Sequence, residues 1–575
     1  MATVYKVWPI DQSAHENNTP GEGKKQVKGL AKPRVFELHR WLCALLLLTA
    51  LKGWLWAAVF PVLQSSDEIH HIIYARDIVR YGTLVVEPRD YFSPEEVVAL
   101  EIARTVEVSG YHRPLDLSPA RIEQIEQVKA LLRNPDEYPP PAPSPWVQYF
   151  TRNHPPLYYA IGALLEVVAR PLDLLEHLAL GRLFSVLCCV GTVGLAYLLT
   201  QEVFPTQPHL WLATAILVSF LPMVTYLGSV YTKQALETTL FTAILWMLAR
   251  VIRLGLSWPR AFGLGFLLSV GLLTKASLMT AVALVAVVAL YDLLRTKWKQ
   301  PAWILTFLLP AILASPWYLY ILKLTIQGLP IRPDQATECP SLLMALRSLP
   351  IGRNLLRLWD ESVASFGHRD TLLPQPLYLM TLVGVVLAVV GWLRQTYWTL
   401  VGQTNGNDRL SSQQWLMAGV CLLACLAVSG FHFLRAYSLS CSELLELQGR
   451  QVTVIAAGSM LFLLMGWLSL APQYWRWLLA MAILLCVALN SYSLIDRVIW
   501  RYYGSQQELA IDRRESLSEP LTTEHELTQC LRVDKMALNR LDIWLQKERD
   551  QVPGELRLRL TDGEGHLLTE AQSRK

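Results

Sequence analysis

Long apolar runs alternate with polar segments over most of the 575-residue chain. A helix needs about 20 predominantly apolar residues to cross the hydrocarbon core of a bilayer. The pattern therefore predicts an all-α polytopic membrane protein with about eleven transmembrane helices. The predicted spans are 41–63, 182–203, 209–228, 235–254, 261–274, 277–294, 301–320, 373–393, 414–434, 451–470 and 475–495.

Basic residues predict the orientation, because Lys and Arg accumulate in cytoplasmic loops. The N-terminal segment 1–35 carries Lys24, Lys25, Lys28, Lys32 and Arg34 and is expected in the cytoplasm. The orientation of the later loops depends on whether a shorter apolar segment, 155–170, crosses the membrane. If it crossed the membrane, the basic clusters at 250–260 and 295–299 would face outwards. We therefore expect it to dip into the outer leaflet without crossing, which leaves the C-terminus outside.

Two loops and a tail are the largest extracytoplasmic parts of this arrangement. Residues 36–495 form the predicted transmembrane domain, with a first outer loop at 64–154 and a second at 321–372. The first loop contains helix-like stretches at 66–81 and 118–133, and we expect amphipathic surface helices in this loop. The tail, 496–575, ends in "GELRLRLTDGEGHLL". Its alternation of apolar and polar residues predicts a β-hairpin, and we expect an incomplete β-domain there.

Composition supports the membrane assignment, since 53% of residues are hydrophobic and 17% are charged, against about 25% charged in soluble domains. The net charge of +4 is small, and no long basic run with interleaved aromatic residues is present. We expect no nucleic-acid partner. The nine cysteines show no spacing typical of a zinc site.

The stretch "SSDEIHH" follows the first predicted span and contains Asp67, Glu68 and His71. Apolar residues at helical spacing follow it, which predicts an amphipathic helix on the membrane surface. One interpretation is that Asp67 and Glu68 cap this helix, because acidic residues are favoured at helix N-termini. The other is that a carboxylate here acts as a general base or binds a metal.

A second candidate site is "FTRNHPPLYYAIGALL", which contains Arg152 and His154. Proline in the first turn of a helix is ordinary structure. A helix N-terminus also attracts phosphate, and Arg152 and His154 would add hydrogen-bond donors. The sequence leaves both interpretations open.

Further ionisable residues occur at the ends of predicted spans, on the side that is expected to face outwards. They include Lys275, Arg450 and the "SVYTKQALETTL" segment with Lys233 and Glu237. Ionisable residues at membrane depth are costly and are functional candidates. The alternative for Lys275 and Arg450 is that their side chains extend to the lipid headgroups.

Taken in order, these motifs resemble the GT-C superfamily of membrane glycosyltransferases. The closest likeness is to the bacterial branch related to protein O-mannosyltransferases and lipid A aminoarabinose transferases. The resemblance covers about residues 40–495. The matching residues are Asp67, Glu68 and His71; His154 to Tyr159; Arg182, Ser185, Gly191 and Tyr197; Lys275; Trp359, Ser362, Phe366, Gly367 and Pro374; and Gly449 and Arg450.

The resemblance implies transfer of a sugar from a polyprenyl-phosphate donor to a glycan, lipid or protein acceptor on the extracytoplasmic face, with inversion at the anomeric carbon. It implies that Asp67 is the catalytic base and that Glu68 neighbours it in the acceptor or metal site. His154, Lys275 and Arg450 would contact the donor phosphate, with His71 and Arg152 as further substrate-binding residues. A divalent metal, if one binds, would be held by Asp67 and Glu68.

The sequence also departs from the pattern. Many relatives carry an acidic residue where this chain has Tyr231-Thr232-Lys233-Gln234, and Glu237 follows one turn later as a candidate accessory acid. "GRQ" replaces the usual "GRY" at Arg450. Two other functions therefore remain open: a transporter or flippase of a lipid-linked glycan, and a non-catalytic membrane scaffold. The expected location is a bacterial plasma (inner) membrane.

Overall fold

A computed structural model describes most of the chain between residues 32 and 503 and two strands near the C-terminus. The described residues are 32–84, 89–103, 119–132, 134–144, 147, 154–169, 173–297, 299–327, 341, 344, 347, 351–369, 371–401, 410–440, 447–470, 473–503, 555–561 and 567–574.

The described part is predominantly helical. In chain order its α-helices are α1 (Lys32–Val59), α2 (Glu68–Tyr81), α3 (Pro94–Ala103), α4 (Pro119–Leu131), α5 (Leu157–Val168), α6 (Leu174–Val203), α7 (Pro208–Phe220), α8 (Pro222–Leu227), α9 (Lys233–Leu254), α10 (Trp258–Thr274), α11 (Met279–Arg295), α12 (Ala302–Leu313), α13 (Ser315–Ile326), α14 (Ile351–Val363), α15 (Gln375–Val401), α16 (Ser412–Ser440), α17 (Ala456–Leu470), α18 (Trp475–Tyr492) and α19 (Trp500–Tyr503). Short 3₁₀ segments occur at Pro135–Glu137, Ala276–Leu278 and Gly449–Ile455, and Ser493–Ile499 is π-helical.

The polytopic helical architecture predicted from the sequence is confirmed. Among the described residues, eight helices are long and apolar enough to cross a membrane, or nine if the bent pair α12–α13 is one span. The predicted total of eleven also requires the shorter helices α7 and α10 to cross. Helix α5 has 12 residues, which at about 1.5 Å per residue is too short to span the hydrocarbon core.

Two predicted spans are broken rather than continuous, and proline is the cause in both. The span predicted at 209–228 divides into α7 and α8 at Leu221, whose ψ of 122° is extended. Pro222 follows, and a proline disfavours helical geometry in the residue before it. The span predicted at 301–320 divides into α12 and α13, which meet at 51°. Pro316 lies in the first turn of α13.

Lys52 in α1 lies beside the break between α7 and α8. Its ammonium donates to the Ser219 carbonyl and to Thr225 Oγ1, the latter at 3.0 Å, and it lies 4.3 Å from the centre of the Phe220 ring. Breaks in membrane helices are tolerated where neighbouring groups satisfy the released backbone atoms. Lys52 therefore makes an interhelical contact.

The segment predicted as the first outer loop folds around a buried arginine. The helices predicted at 66–81 and 118–133 correspond to α2 and α4, and β1 (Tyr91–Phe92) pairs antiparallel with β2 (Ala142–Pro143). Arg89 donates to Asp77 and Glu96, with a shortest distance of 2.6 Å to Glu96 Oε1. Glu96 also accepts the Ser93 backbone N–H, which fixes the start of α3.

The segment predicted as the second outer loop contributes a small hairpin, in which β3 (Ser365–Phe366) pairs antiparallel with β4 (Thr371–Leu372). The chain divides into two compact units, Met1–Ser505 and Gln506–Lys575. In the second unit, β5 (Glu555–Thr561) pairs antiparallel with β6 (Leu567–Arg574). The hairpin predicted in the tail is thus confirmed, and its predicted Asp-Gly turn lies outside the described residues.

Candidate functional site

Asp67 lies between α1 and α2 in a left-handed backbone conformation, with φ of 69°. Its side chain makes no capping hydrogen bond to α2, so the capping interpretation is wrong for Asp67. The carboxylate instead accepts from Arg450, with 2.8 Å between Arg450 Nη2 and Asp67 Oδ2. Left-handed non-glycine residues are costly and cluster at functional sites. The Asp67 side chain is 35% exposed, and it pairs with the largely buried Arg450 side chain.

Glu68 is fully buried and pairs with a different arginine, Arg182 in α6. Arg182 Nε and Nη2 each lie 2.8 Å from a Glu68 oxygen. The same two oxygens accept the backbone N–H groups of Tyr231 and Leu63. Arg182 uses its remaining donors on carbonyls at the end of α1. Both Glu68 oxygens are therefore occupied by protein donors, which favours a structural role.

Lys275 and Glu237 are brought together as a buried ion pair. Lys275 lies at the break between α10 and the following 3₁₀ turn, and its Nζ is 2.6 Å from Glu237 Oε2 in α9. Ser277 donates to the other Glu237 oxygen. Lys275 is therefore held inside the protein, so the alternative interpretation, in which its side chain extends to the headgroups, is wrong for this residue. Glu237 has both oxygens engaged.

His71 and His154 meet over Tyr159 in α5. His71 Nδ1 lies 3.2 Å from the Tyr159 hydroxyl, and the His154 ring is parallel to the Tyr159 ring with centroids 6.4 Å apart. Burial lowers the pKa of both histidines well below the usual range, and the charge of Lys233 lowers each further. Both imidazoles are therefore neutral at physiological pH. Arg152 lies outside the described residues.

Four cationic side chains interact electrostatically with these site residues. We call Lys233, Lys275, Arg435 and Arg450 the cationic cluster. Lys233 is 6% exposed and Lys275 is 5% exposed. Electrostatic interactions link the cluster to the site: Lys233 acts on Asp67 and His71, and Arg435 acts on His154. Among the described residues of this site, the cations outnumber the carboxylates Asp67 and Glu237. The cluster has the electrostatic character of an anion site.

Comparison with known proteins identifies the family. A protein-family model described as "Predicted membrane protein (DUF2142)" matches residues 50–505. The chain belongs to the DUF2142 family. No curated protein matches the sequence.

The DUF2142 chain is also similar to solved membrane-protein structures. The apo oligosaccharyltransferase of Archaeoglobus fulgidus is 11% identical with a TM-score of 0.39, and the match covers 79% of this chain and 56% of that one. The same protein tethered with an acceptor peptide containing the NVT sequon is 13% identical (TM-score 0.34; 79% and 55%). ArnT from Cupriavidus metallidurans, bound to undecaprenyl phosphate, is 12% identical (TM-score 0.33; 77% of each chain).

These structures belong to the GT-C superfamily, which is the superfamily that the sequence motifs resemble.

The residues at Asp67 and Glu68 do not fit a divalent metal site. A metal would need carboxylate oxygens that are open to it, whereas both Glu68 oxygens accept from protein donors. Asp67 is paired with Arg450. Within the described ranges, no group of three or more His, Cys, Asp or Glu residues could hold a metal ion.

Sequence reasoning passed over several residues of this site. His432 in α16 is 1% exposed, and neither ring nitrogen has a hydrogen-bond partner in the part of the chain that the structure describes. Lys275 and Arg435 act on it electrostatically. His432 and Arg435 lie in "FHFLRAY", at the end of a predicted span, where ionisable residues are functional candidates by default. Glu361 and Arg369 lie between Trp359 and Pro374, within the stretch that carries the resemblance, and were also missed.

Proposed function

We propose that this DUF2142 protein is an integral-membrane glycosyltransferase, which moves a sugar from a polyprenyl-phosphate donor to an acceptor on the extracytoplasmic face. The proposal includes a bacterial plasma membrane location with the N-terminus in the cytoplasm. One observation carries it: a partly exposed carboxylate, Asp67, lies beside a cationic cluster at one end of an apolar helical bundle.

The cationic cluster would bind the donor phosphate. When the acceptor oxygen attacks the anomeric carbon, the bond from that carbon to the phosphate oxygen breaks, and its electron pair stays on the lipid phosphate. The departing phosphate gains negative charge, which fixed cations stabilise in a site of low polarity. His432, whose ring nitrogens have no partner among the described residues, supports the phosphate assignment by adding a buried hydrogen-bonding group.

Asp67 would receive the proton of the acceptor, yet its resting state is that of a weak base. Burial alone would raise its pKa, but the charge of Arg450, with smaller contributions from His71, His70 and Lys233, holds the pKa of Asp67 well below its usual range. Donor phosphate that competes for Arg450 would weaken this pair and raise the pKa of Asp67. The base would then gain strength only when the donor is bound.

The other predicted residues receive narrower roles in this proposal. His71 and His154, as neutral imidazoles, would orient the donor by hydrogen bonding, and Arg450 and Lys275 would contact its phosphate. The contacts of Glu68 support its use as a brace for the segment before Asp67, rather than as a base. Glu237 would hold Lys275 in position, rather than serve as an accessory acid.

The test uses purified protein in detergent with a panel of radiolabelled polyprenyl-phosphate sugars and a membrane extract as the acceptor source. Asp67→Asn is expected to abolish transfer of label from the lipid to a new product. Asp496→Asn is a matched control, because Asp496 is also an exposed aspartate beside an arginine, Arg497, and it should keep full activity.

Equal transfer by the wild type and Asp67→Asn would remove Asp67 as the base. Absence of transfer with every donor, in extracts that contain acceptors, would contradict the glycosyltransferase proposal. Reconstituted vesicles would then be tested for movement of the lipid-linked sugar between leaflets, which a flippase would catalyse and a scaffold would not.

A further inference from the structure

The segment from Glu361 to Arg369 contacts residues that immediately precede each member of the Asp67–Arg450 pair. It belongs to the second outer loop and runs from the end of α14 through β3 into the hairpin turn. Its residues are distant in sequence from Asp67 and from Arg450, so the contacts depend on the folded structure.

On the Arg450 side, Glu361 fixes the start of the 3₁₀ segment that carries Arg450. Glu361 Oε2 accepts the Gly449 backbone N–H at 2.9 Å, and Glu361 is 5% exposed. Its other oxygen accepts from Arg357 and Arg369, each at 2.9 Å from Nε. Arg369 also donates to the Leu447 carbonyl. Two backbone groups that precede Arg450 are therefore held by this segment.

The close approach at Gly449 requires a residue without a side chain. A Cβ added there would lie 2.3 Å from the backbone nitrogen of Ser362 and 2.5 Å from Glu361 Cβ. Geometry therefore explains why the sequence is Gly-Arg here. The glycine leaves room for the backbone of the Glu361 segment, and the arginine that follows it reaches Asp67.

On the Asp67 side, the hairpin turn accepts a hydrogen bond from Ser66, the residue just before Asp67. The Gly367 carbonyl accepts from Ser66 Oγ at 3.2 Å and from the Tyr226 hydroxyl at 3.3 Å. The same hydroxyl lies 2.9 Å from Ser65 Oγ. Gly367 and Arg369 both have positive φ, 65° and 74°. From this turn the Gly367 carbonyl reaches Ser66, which precedes Asp67, and the Arg369 side chain reaches Glu361 and the Leu447 carbonyl, three residues before Arg450.

We propose that Glu361 and Arg369 are positioning residues, which set the geometry of Arg450 against Asp67 by holding the Gly449–Arg450 backbone. Their part in catalysis rests on the proposed function, whereas their effect on the Asp67–Arg450 pair does not. Neither residue is proposed to touch the substrate.

Glu361→Gln is the informative substitution. Glu361 accepts from donors on both oxygens, so either orientation of a glutamine amide sets its NH₂ group against a donor. The substitution also removes the counter-charge of Arg369. The Gly449–Arg450 backbone should loosen, and the time spent by Arg450 at Asp67 should fall.

The readout is the apparent pKa of Asp67 in ligand-free protein, from infrared difference spectra. Its carboxyl band is assigned by its loss in Asp67→Asn. Glu361→Gln should raise this pKa by about one unit, because a close arginine lowers a carboxyl pKa by about 1–3 units. Glu96→Gln is the matched control: Glu96 is 4% exposed and also pairs with an arginine and a backbone N–H. It should leave the Asp67 pKa unchanged.

Ser66→Ala tests the other arm of the contact at little structural cost, and decides the matter if Glu361→Gln does not fold. It should raise the Asp67 pKa in the same direction by a smaller amount. An unchanged Asp67 pKa in a folded Glu361→Gln variant, or an equal shift in Glu96→Gln, would overturn the positioning role. So would an unchanged pKa in Ser66→Ala when that variant alone is available.

Transfer assays on the same variants separate the two proposals. If the protein transfers sugar, Glu361→Gln should lower kcat more than it raises KM, because it disturbs the base more than the cationic cluster. If no protein in the series transfers sugar, the proposed function fails, while the infrared measurement still decides the positioning role.

Discussion

At the scale of single residues, two acids that are adjacent in sequence have separate surroundings. Asp67 is partly exposed and pairs with Arg450, whereas Glu68 is fully buried against Arg182. Consecutive residues diverge in this way because Asp67 adopts a left-handed conformation immediately before α2 begins. The sequence motif identifies the pair of acids, but only the fold distinguishes the candidate base from the brace.

The buried Glu68–Arg182 pair should contribute strongly to stability. Glu68→Gln leaves the Arg182 guanidinium buried without its counter-charge, and breaking such a pair costs about 3–5 kcal/mol. The thermal midpoint in detergent should fall markedly. Arg76→Gln provides the comparison, since the Arg76–Glu95 pair is about one-fifth exposed and should matter less. A Glu68→Gln variant that matches the wild-type midpoint would contradict the structural role.

The buried histidines predict how stability depends on pH. Burial lowers the pKa of His154 below its unfolded value of 6.5. Its contribution to stability is therefore complete above pH 6.5 and is lost as the pH falls towards the folded pKa. The loss should be about 1.4 kcal/mol per pH unit. His154→Gln should flatten the decline in thermal midpoint between pH 6.5 and 5, whereas the exposed His39→Gln should follow the wild type. Parallel curves for all three proteins would contradict this prediction.

At the scale of elements, α15 and α17 cross at two glycines. A Cβ on Gly391 would lie 1.9 Å from the Gly466 carbonyl oxygen, and one on Gly466 would lie 2.4 Å from the Ala388 carbonyl oxygen. Small residues allow the backbones of membrane helices to approach this closely. The contact joins α15, which follows the predicted second outer loop, to α17, which follows the 3₁₀ segment that contains Arg450.

Gly391→Ala should therefore destabilise the protein, because the added methyl group forces the two helices apart. Overpacking of this kind typically costs about 1–3 kcal/mol. Gly430→Ala in α16 is the control: a Cβ there meets nothing within 4 Å, and alanine is the better helix former. We expect a lower thermal midpoint for the first variant and an unchanged or higher one for the second. The opposite order would show that this helix crossing is less tight than described.

The elements also show which structural features could be predicted from the sequence and which could not. Apolar length is a strong signal, so the long spans and the existence of α2 could be predicted. The predicted position of α2 on the membrane surface was wrong, because most of its residues are buried, including the polar Glu68, His71 and Asp77. The breaks at Leu221 and Ala314 were predictable in principle, because Pro222 and Pro316 are visible in the sequence. The contacts of Glu361 with Gly449 and of Lys275 with Glu237 join residues 88 and 38 positions apart. No local pattern encodes such pairings, so the partners of the site residues required the fold.

At the scale of the whole molecule, the number of crossings determines on which side the C-terminal unit lies. Eleven crossings with a cytoplasmic N-terminus require α7 and α10 to cross although they have 13 and 17 residues. Helix α7 is extended by α8 beyond the break, and α10 by the 3₁₀ turn that follows Lys275. Helix α5, with 12 residues, is expected to remain in the outer leaflet.

This arrangement predicts that Cys530 in the tail is extracytoplasmic. A variant that retains Cys530 as its single cysteine should react with a membrane-impermeant thiol reagent in intact cells. A cysteine at Lys299 in an otherwise cysteine-free chain should react only after lysis, because Lys299 lies in a basic loop that is expected inside. Labelling of Lys299→Cys alone in intact cells would invert the protein and move Asp67 and the cationic cluster to the cytoplasmic side. Labelling of both would place residues 299 and 530 on the same side of the membrane. That result would exclude the predicted odd number of crossings between them, and hence the assignment of at least one of the spans α12–α13, α15, α16, α17 and α18.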